Sequence, residues 1–281
     1  MIIDAHHHFW NYDPQEYDWI TEEMRVIRKS FLPLNLKEEI SSSGVDGVIT
    51  VQARQSAEET EWLLKLAAEN DFIKGVTGWI PLADTNAEKV LERFSLHPHL
   101  KAIRHVLQGE SNEYMLRRDF NKGVDLLGKF NLAYEILIIE NQLKHSIRFA
   151  DLHPDQVLIL DHIAKPKIRE GIISPWKEDI RELSKRPNVF CKISGMVTEA
   201  DSLSWTGQQL QPYFEEVLNS FGPARLLFGS DWPVCLVACS YNQWISTVRS
   251  FISKLSPGEQ AAIMGENAIR VYRLDYNPLA H

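Results

Sequence analysis

Three cysteines in 281 residues are too few for a disulfide framework. Cys191, Cys235 and Cys239 cannot all pair and do not make a four-ligand zinc pattern, so reduced thiols are expected, with Cys191 on a strand. No apolar stretch reaches the ~20 residues of a membrane span, and no basic segment with an apolar signal core opens the sequence. The cytoplasm is the expected location, without membrane attachment. Basic residues are outnumbered, 30 Lys and Arg against 38 Asp and Glu, and the formal net charge of -8 argues against nucleic acid or an anionic membrane as partner. No Pro/Gly/Ser linker or low-complexity block divides the chain, so residues 1–281 read as one domain. No glycine-rich phosphate fingerprint follows the first strand, which argues against a nucleotide-binding doubly wound sheet.

What the chain does have is alternation. Short β-branched or apolar runs at 2–6, 47–52, 76–80, 102–106, 132–136, 157–161, 189–194 and 226–230 are separated by longer helical patterns. In the segment 57–70, Trp62, Leu63, Leu66 and Ala67 form an apolar stripe of helical period. Ser56 with Glu59 reads as its capping box, and Ser256-Pro257-Gly258-Glu259 opens a late helix with Pro at its first position. Eight strands alternating with helices in a chain of this length predict a single-domain α/β fold, a (β/α)8 TIM barrel.

A barrel makes one demand: active groups belong at the carboxyl ends of several strands. The first strand closes on Asp4-Ala5-His6-His7-His8. Alternation with period two sends His6 and His8 to one side and His7 to the other. Two imidazoles one strand repeat apart converge on a point, a pattern suited to a metal or to proton transfer. A tag remnant would not sit between an apolar strand and Phe9-Trp10. Gln52 and Arg54 end the second strand, Trp79 the third, Arg104 and His105 the fourth, His162 the sixth, Lys192 and Ser194 the seventh, and Asp231 the eighth. Unpaired burial of such groups costs about 2–7 kcal/mol each. A shared wet pocket would give them partners.

The same positions fall in a series of motifs: D-A-H-H-H-F-W at 4–10, V-Q-A at 51–53, E-T at 59–60, G-W at 78–79, I-R-H at 103–105, L-D-H-I-A-K-P at 160–166, C-K-I-S-G at 191–195 and F-G-S-D-W-P-V-C at 228–235. In order and spacing this series resembles the amidohydrolase superfamily, in particular its sugar-lactone hydrolases, the group of L-fuconolactonase and 2-pyrone-4,6-dicarboxylate lactonase. The resemblance implies opening of a small-molecule sugar lactone by a catalytic set of His6, His8, His162 and Asp231, with Asp231 as the base that activates water. Arg104 and His105 are the expected partners of substrate hydroxyls or the nascent carboxylate, with Lys192 as a second cation. Gln52 and Trp79 complete the expected substrate contacts, the tryptophan by stacking on a sugar ring.

The departures from that pattern matter as well. Binuclear members carry Lys or Glu after the fourth strand and His after the fifth. Here the fourth offers Arg104-His105 and the fifth reads Leu132-Ala133-Tyr134-Glu135-Ile136, so no binuclear centre is expected. One divalent ion such as Zn²⁺ would suit His6, His8 and Asp231, and hydrolysis without a metal is the reading carried beside it. Two other functions stay open at this point. A metal-dependent decarboxylase of the same superfamily would want the missing fifth-strand His, and a non-catalytic sugar-binding barrel would be expected to lack the base. The preferred aldonolactone and the oligomeric state are left open by these motifs.

Overall fold

The computed structural model describes residues 1–275; residues 276–281 of the expected domain lie outside the described residues. Eight strands run parallel and pair in chain order. They are β1 (Ile3–His7), β2 (Gly47–Val51), β3 (Ile73–Gly78), β4 (Leu100–His105), β5 (Ala133–Ile136), β6 (Leu158–Leu160), β7 (Val189–Ile193) and β8 (Leu226–Phe228). The ring closes just past the last strand, where the His8 N–H donates to the Trp232 carbonyl at 2.7 Å and the Asp231 N–H to the His6 carbonyl at 2.8 Å. Helices lie between successive strands, among them α1 (Pro33–Ser43) and α2 (Ala57–Glu69), giving the expected (β/α)8 barrel.

Local differences from the sequence reading have physical causes. The third strand begins at Ile73 rather than 76 because Ile73 already pairs with Val48. Ser56 does cap α2, accepting from the Glu59 N–H at 3.1 Å. The reciprocal half of the expected capping box is not made, because the Glu59 carboxylate turns back to accept from the N–H groups of Ala53 at 2.9 Å and Arg54 at 2.7 Å. The box at Ser256 and Glu259 forms in both directions.

The strand interior is layered. Ile3, Ala5, Ile49, Ala102, Ala133, Ile159 and Leu227 form one apolar cluster, joined by Val271 and Tyr272 near the C-terminal end of the described chain. Their neighbours along the strands, such as Val48, Val76, Ile103 and Leu158, belong to the larger cluster shared with the helices. One step further along several strands, the alternation that placed those apolar residues brings in Thr77, Arg104, Glu135, Asp161 and Lys192, all buried. The interior therefore changes from apolar to charged toward the strand ends.

Candidate active site

The first strand delivers its histidines through an irregularity. Asp4 pairs with Val48 and His7 with Thr50, so β1 spends one residue more than β2 over this stretch, which is a β-bulge. The extra residue resets the phase of β1. His7 then leaves the interior, with Nε2 at 2.8 Å from Thr50 Oγ1 and its ring against Phe9, while His6 and His8 converge with their Nε2 atoms 3.2 Å apart. The expected separation of His7 from His6 and His8 is observed, and the bulge sets its phase. Gly229 makes the approach feasible: a Cβ there would lie 2.8 Å from the Cβ of His6.

After β6 the chain does something alternation cannot foretell. His162, Ile163, Ala164 and Lys165 are four consecutive residues at positive φ, between 47° and 61°. Left-handed backbone costs about 1–2 kcal/mol per non-glycine residue, so the turn must be held from outside. Burial of Ile163 and a hydrogen bond from Trp176 Nε1 to the Ile163 carbonyl at 2.7 Å supply part of that hold. The turn places both His162 and Lys165 on the wall of one cavity. Gly195, itself at φ +65°, leaves room for the imidazole, since a Cβ there would lie 2.6 Å from His162 Nδ1.

That cavity encloses about 570 Å³ at the carboxyl ends of the strands, and its wall includes His8, Arg104, His162, Lys165, Glu199 and Asp231. Asp231 Oδ1 lies 3.4 Å from His8 Nε2 and 3.7 Å from His6 Nε2. Burial pushes the Asp231 carboxyl upward in pKa, but His162, His8 and Lys165 outweigh it and hold the group below the usual carboxylate value. His162 moves down to about 4, chiefly through burial, with Asp231 opposing the shift. Burial and Lys192 hold His6 well below the ordinary imidazole value. The site thus presents a carboxylate beside imidazoles that burial keeps neutral, a set able to accept a proton from water.

Below these groups sits a buried charge cluster. Arg104 Nη1 donates to Asp161 Oδ2 at 3.0 Å and Nη2 to the Gln52 carbonyl at 2.5 Å. Lys192 Nζ lies 2.7 Å from Glu135 Oε2 and 3.0 Å from Asp161 Oδ1. Asp161 is accordingly held well below its usual range: burial acts against this, and Lys192, His6 and Arg104 prevail.

Of the residues singled out in the sequence, the structure gathers His6, His8, His162, Asp231 and Arg104 around one point. Of the residues expected to touch substrate, four do not reach the cavity wall. Lys192 is fully buried beneath His6, so direct substrate contact is corrected to contact with other site residues. Gln52 is buried and donates through Nε2 to the Arg104 carbonyl at 3.3 Å, supporting the arginine. His105 is taken up by Glu110 at 3.0 Å, by the Trp79 Nε1 donor at 3.2 Å and by a stacked Tyr114. Trp79 faces a separate groove with Ser56 and Arg93. The site residues missed are Lys165, Glu199 and Glu16, with Arg54 noted only as a strand end. Lys165 lay inside the L-D-H-I-A-K-P motif, but only the left-handed turn shows where it goes.

The donor set also bears on a metal. His8 Nδ1 donates to the Val51 carbonyl at 2.8 Å, so Nε2, which faces Asp231, is the nitrogen free to offer a lone pair to an ion. Ligand atoms of His6, His8 and Asp231 all lie within 4.8 Å of one another, so by kind and spacing they fit a single divalent ion.

Residues 3–274 match the family described as Amidohydrolase. The chain is 37% identical to an L-fucono-1,5-lactonase of Burkholderia multivorans, over 98% of this chain and 96% of that one. A crystal structure of an amidohydrolase from Burkholderia multivorans with bound zinc superimposes with a TM-score of 0.94 at 36% identity, covering 98% of this chain and all of the other. The fold is shared more distantly with a probable 2-pyrone-4,6-dicarboxylic acid hydrolase of Acinetobacter baumannii, at a TM-score of 0.78 and 16% identity over 97% of this chain and 99% of that one.

Proposed function

The chain belongs to the amidohydrolase family, and from that premise we propose that it hydrolyses a sugar lactone to the corresponding aldonic acid, with Asp231 as general base. The observation that carries this reading is 37% identity to an L-fucono-1,5-lactonase over nearly the full length of both chains, together with an ionised Asp231 on the wall of a cavity of about 570 Å³. Ring opening needs three things: water must lose a proton as it attacks, the carbonyl oxygen must be stabilised as charge develops, and the ring oxygen must gain a proton as its bond to carbon breaks. Asp231 takes the proton from water and returns it to the leaving ring oxygen, so the base is regenerated each turnover. His8 and the neutral His162 orient the water and the ester.

Lys165 and Arg104 supply the positive charge. Among the described residues the Lys165 ammonium has no carboxylate within 4.0 Å, whereas the other cations on the wall are engaged, Arg104 with Asp161 and Arg54 with Glu16 at 2.6 Å. An unpaired cation aimed into the cavity is suited to a developing oxyanion. His6, His8 and Asp231 are the residues that would hold one divalent ion, which when bound supplies Lewis acidity to a carbonyl oxygen.

The test is a panel of L-fucono-, L-rhamnono- and related aldonolactones, assayed with the purified protein by acid release, with carbon dioxide measured in parallel. Acid without gas is the expected result. Gas release from an unsaturated or aromatic acid would mark a decarboxylase, and binding without turnover a sugar-binding barrel.

A further inference from the structure

We propose that Lys192 is a positioning residue that fixes the ring proton of His6 on Nε2, so that the resting His6–His8 pair is a hydrogen-bonded donor and acceptor and the site holds a divalent cation weakly. The argument is one of donors and acceptors. An ammonium has three N–H donors and accepts nothing. Lys192 Nζ meets three acceptors, Glu135 Oε2, Asp161 Oδ1 and, at 3.1 Å, His6 Nδ1. The contact to the imidazole has hydrogen-bond geometry, whereas the two carboxylate oxygens are placed as charge partners without it. A nitrogen that accepts from an ammonium carries no proton of its own. In neutral His6 the proton therefore sits on Nε2.

The far end of the chain of contacts agrees independently. His8 Nδ1 faces a carbonyl, Val51 O, which can only accept, so Nδ1 carries a proton and, in the neutral ring, Nε2 is bare. The two Nε2 atoms stand 3.2 Å apart with one proton between them, donated by His6 to His8. Three longer approaches favour the opposite arrangement: Asp161 Oδ1 at 3.5 Å from His6 Nδ1, Arg104 Nη1 at 3.4 Å from His6 Nε2, and Asp231 Oδ1 at 3.4 Å from His8 Nε2. Each is the longer of the contacts competing at its nitrogen, and Arg104 Nη1 already donates to Asp161 at 3.0 Å.

The consequence reaches the metal question. A ligand nitrogen must present a lone pair, and His6 Nε2 presents a proton. Moving that proton to Nδ1 would set it against the Lys192 ammonium, and the ammonium is itself a fixed positive charge beside any incoming cation. The three acceptors around Lys192 form a cage of carboxylates and imidazole of the kind that holds metal ions, and here a side-chain cation fills it.

Two measurements test this without substrate, so they stand or fall apart from the lactonase reading, on which only the bearing of His6 on turnover rests. Long-range proton–nitrogen correlation spectra of the metal-free wild-type protein, assigned with His6→Gln and His8→Gln, are expected to show His6 protonated at Nε2 and His8 at Nδ1. Protonation of His6 at Nδ1 would overturn the proposal. The second is zinc affinity, read by competition with a chelating dye. Lys192→Met alone leaves Glu135 buried without a cation, so the paired change Glu135→Gln with Lys192→Met is used. A gain of tenfold or more in zinc affinity is expected, and unchanged or weaker binding by the folded double variant would overturn the proposal. Should that variant not fold, the wild-type spectra decide.

Discussion

The backbone N–H of Asp231 donates to the carbonyl of His6 at 2.8 Å, so the hydrogen bond that helps close the barrel also joins the proposed base to the first-strand histidines. Barrel closure and the site share this bond. A change that loosens the seam between the first and last strands therefore acts on Asp231 and His6 together.

His6→Ala and His8→Ala should lower kcat far more than His7→Ala. The bulge in β1 turns His7 away from the cavity toward Thr50 and Phe9, so its loss should appear as stability instead, about 1–3 kcal/mol for an opened buried hydrogen bond. Steady-state kinetics and urea unfolding of the three variants check this. Equal kcat losses at all three positions would contradict the geometry.

Lys165→Met should reduce kcat by about 10²–10³-fold, the range for losing one oxyanion donor, with little change in KM. Its ammonium has no carboxylate within 4.0 Å among the described residues, so little stability should be lost with it. A variant that loses only substrate affinity would move Lys165 from the developing charge to a ground-state contact.

Glu59 gives a pH dependence with a definite sign. Burial lifts its pKa to about 7, against the N–H groups of Arg54 and Ala53 and the Arg54 charge that pull it down. The folded value lies above the unfolded one, so this contribution is fully present below about pH 4.5 and is lost as pH rises through about 7. Between pH 5 and pH 8 the wild type should lose on the order of 1–3 kcal/mol that Glu59→Gln does not lose. Urea unfolding at both values tests it, and parallel slopes in the two proteins would show that Glu59 stays ionised throughout.

Exhaustive chelation should leave a substantial fraction of the lactonase activity, because Arg104 and Lys165 face the cavity with positive charge of their own. Complete loss, restored by stoichiometric Zn²⁺ or Mn²⁺, would make His6, His8 and Asp231 obligatory ligands.

Much of this was legible in the sequence, and what was not has identifiable causes. The eight apolar runs announced the barrel, and the strand-end rule drew attention to His6, His8, Arg104, His162 and Asp231. Strand ends, however, mark a height in the barrel and not a direction. His105 and Trp79 are at the right height but turn to Glu110, to each other and to a neighbouring groove, and Lys192 points into the buried charge cluster. Lys165 was hidden for the opposite reason: four left-handed residues bring it into the cavity from a segment whose residue types, Ile163 above all, give no local sign of that backbone.

The measurement that bears most directly on the account is kcat of Asp231→Asn on the best aldonolactone. Asp231 sits at φ 59°, a conformation asparagine tolerates, so the variant should fold with the same unfolding midpoint to within a small margin. The amide cannot take a proton from water, and kcat should fall by about 10²–10⁴-fold with KM little changed. A folded Asp231→Asn that turns over the lactone at near wild-type rate would contradict the assignment of Asp231 as the base.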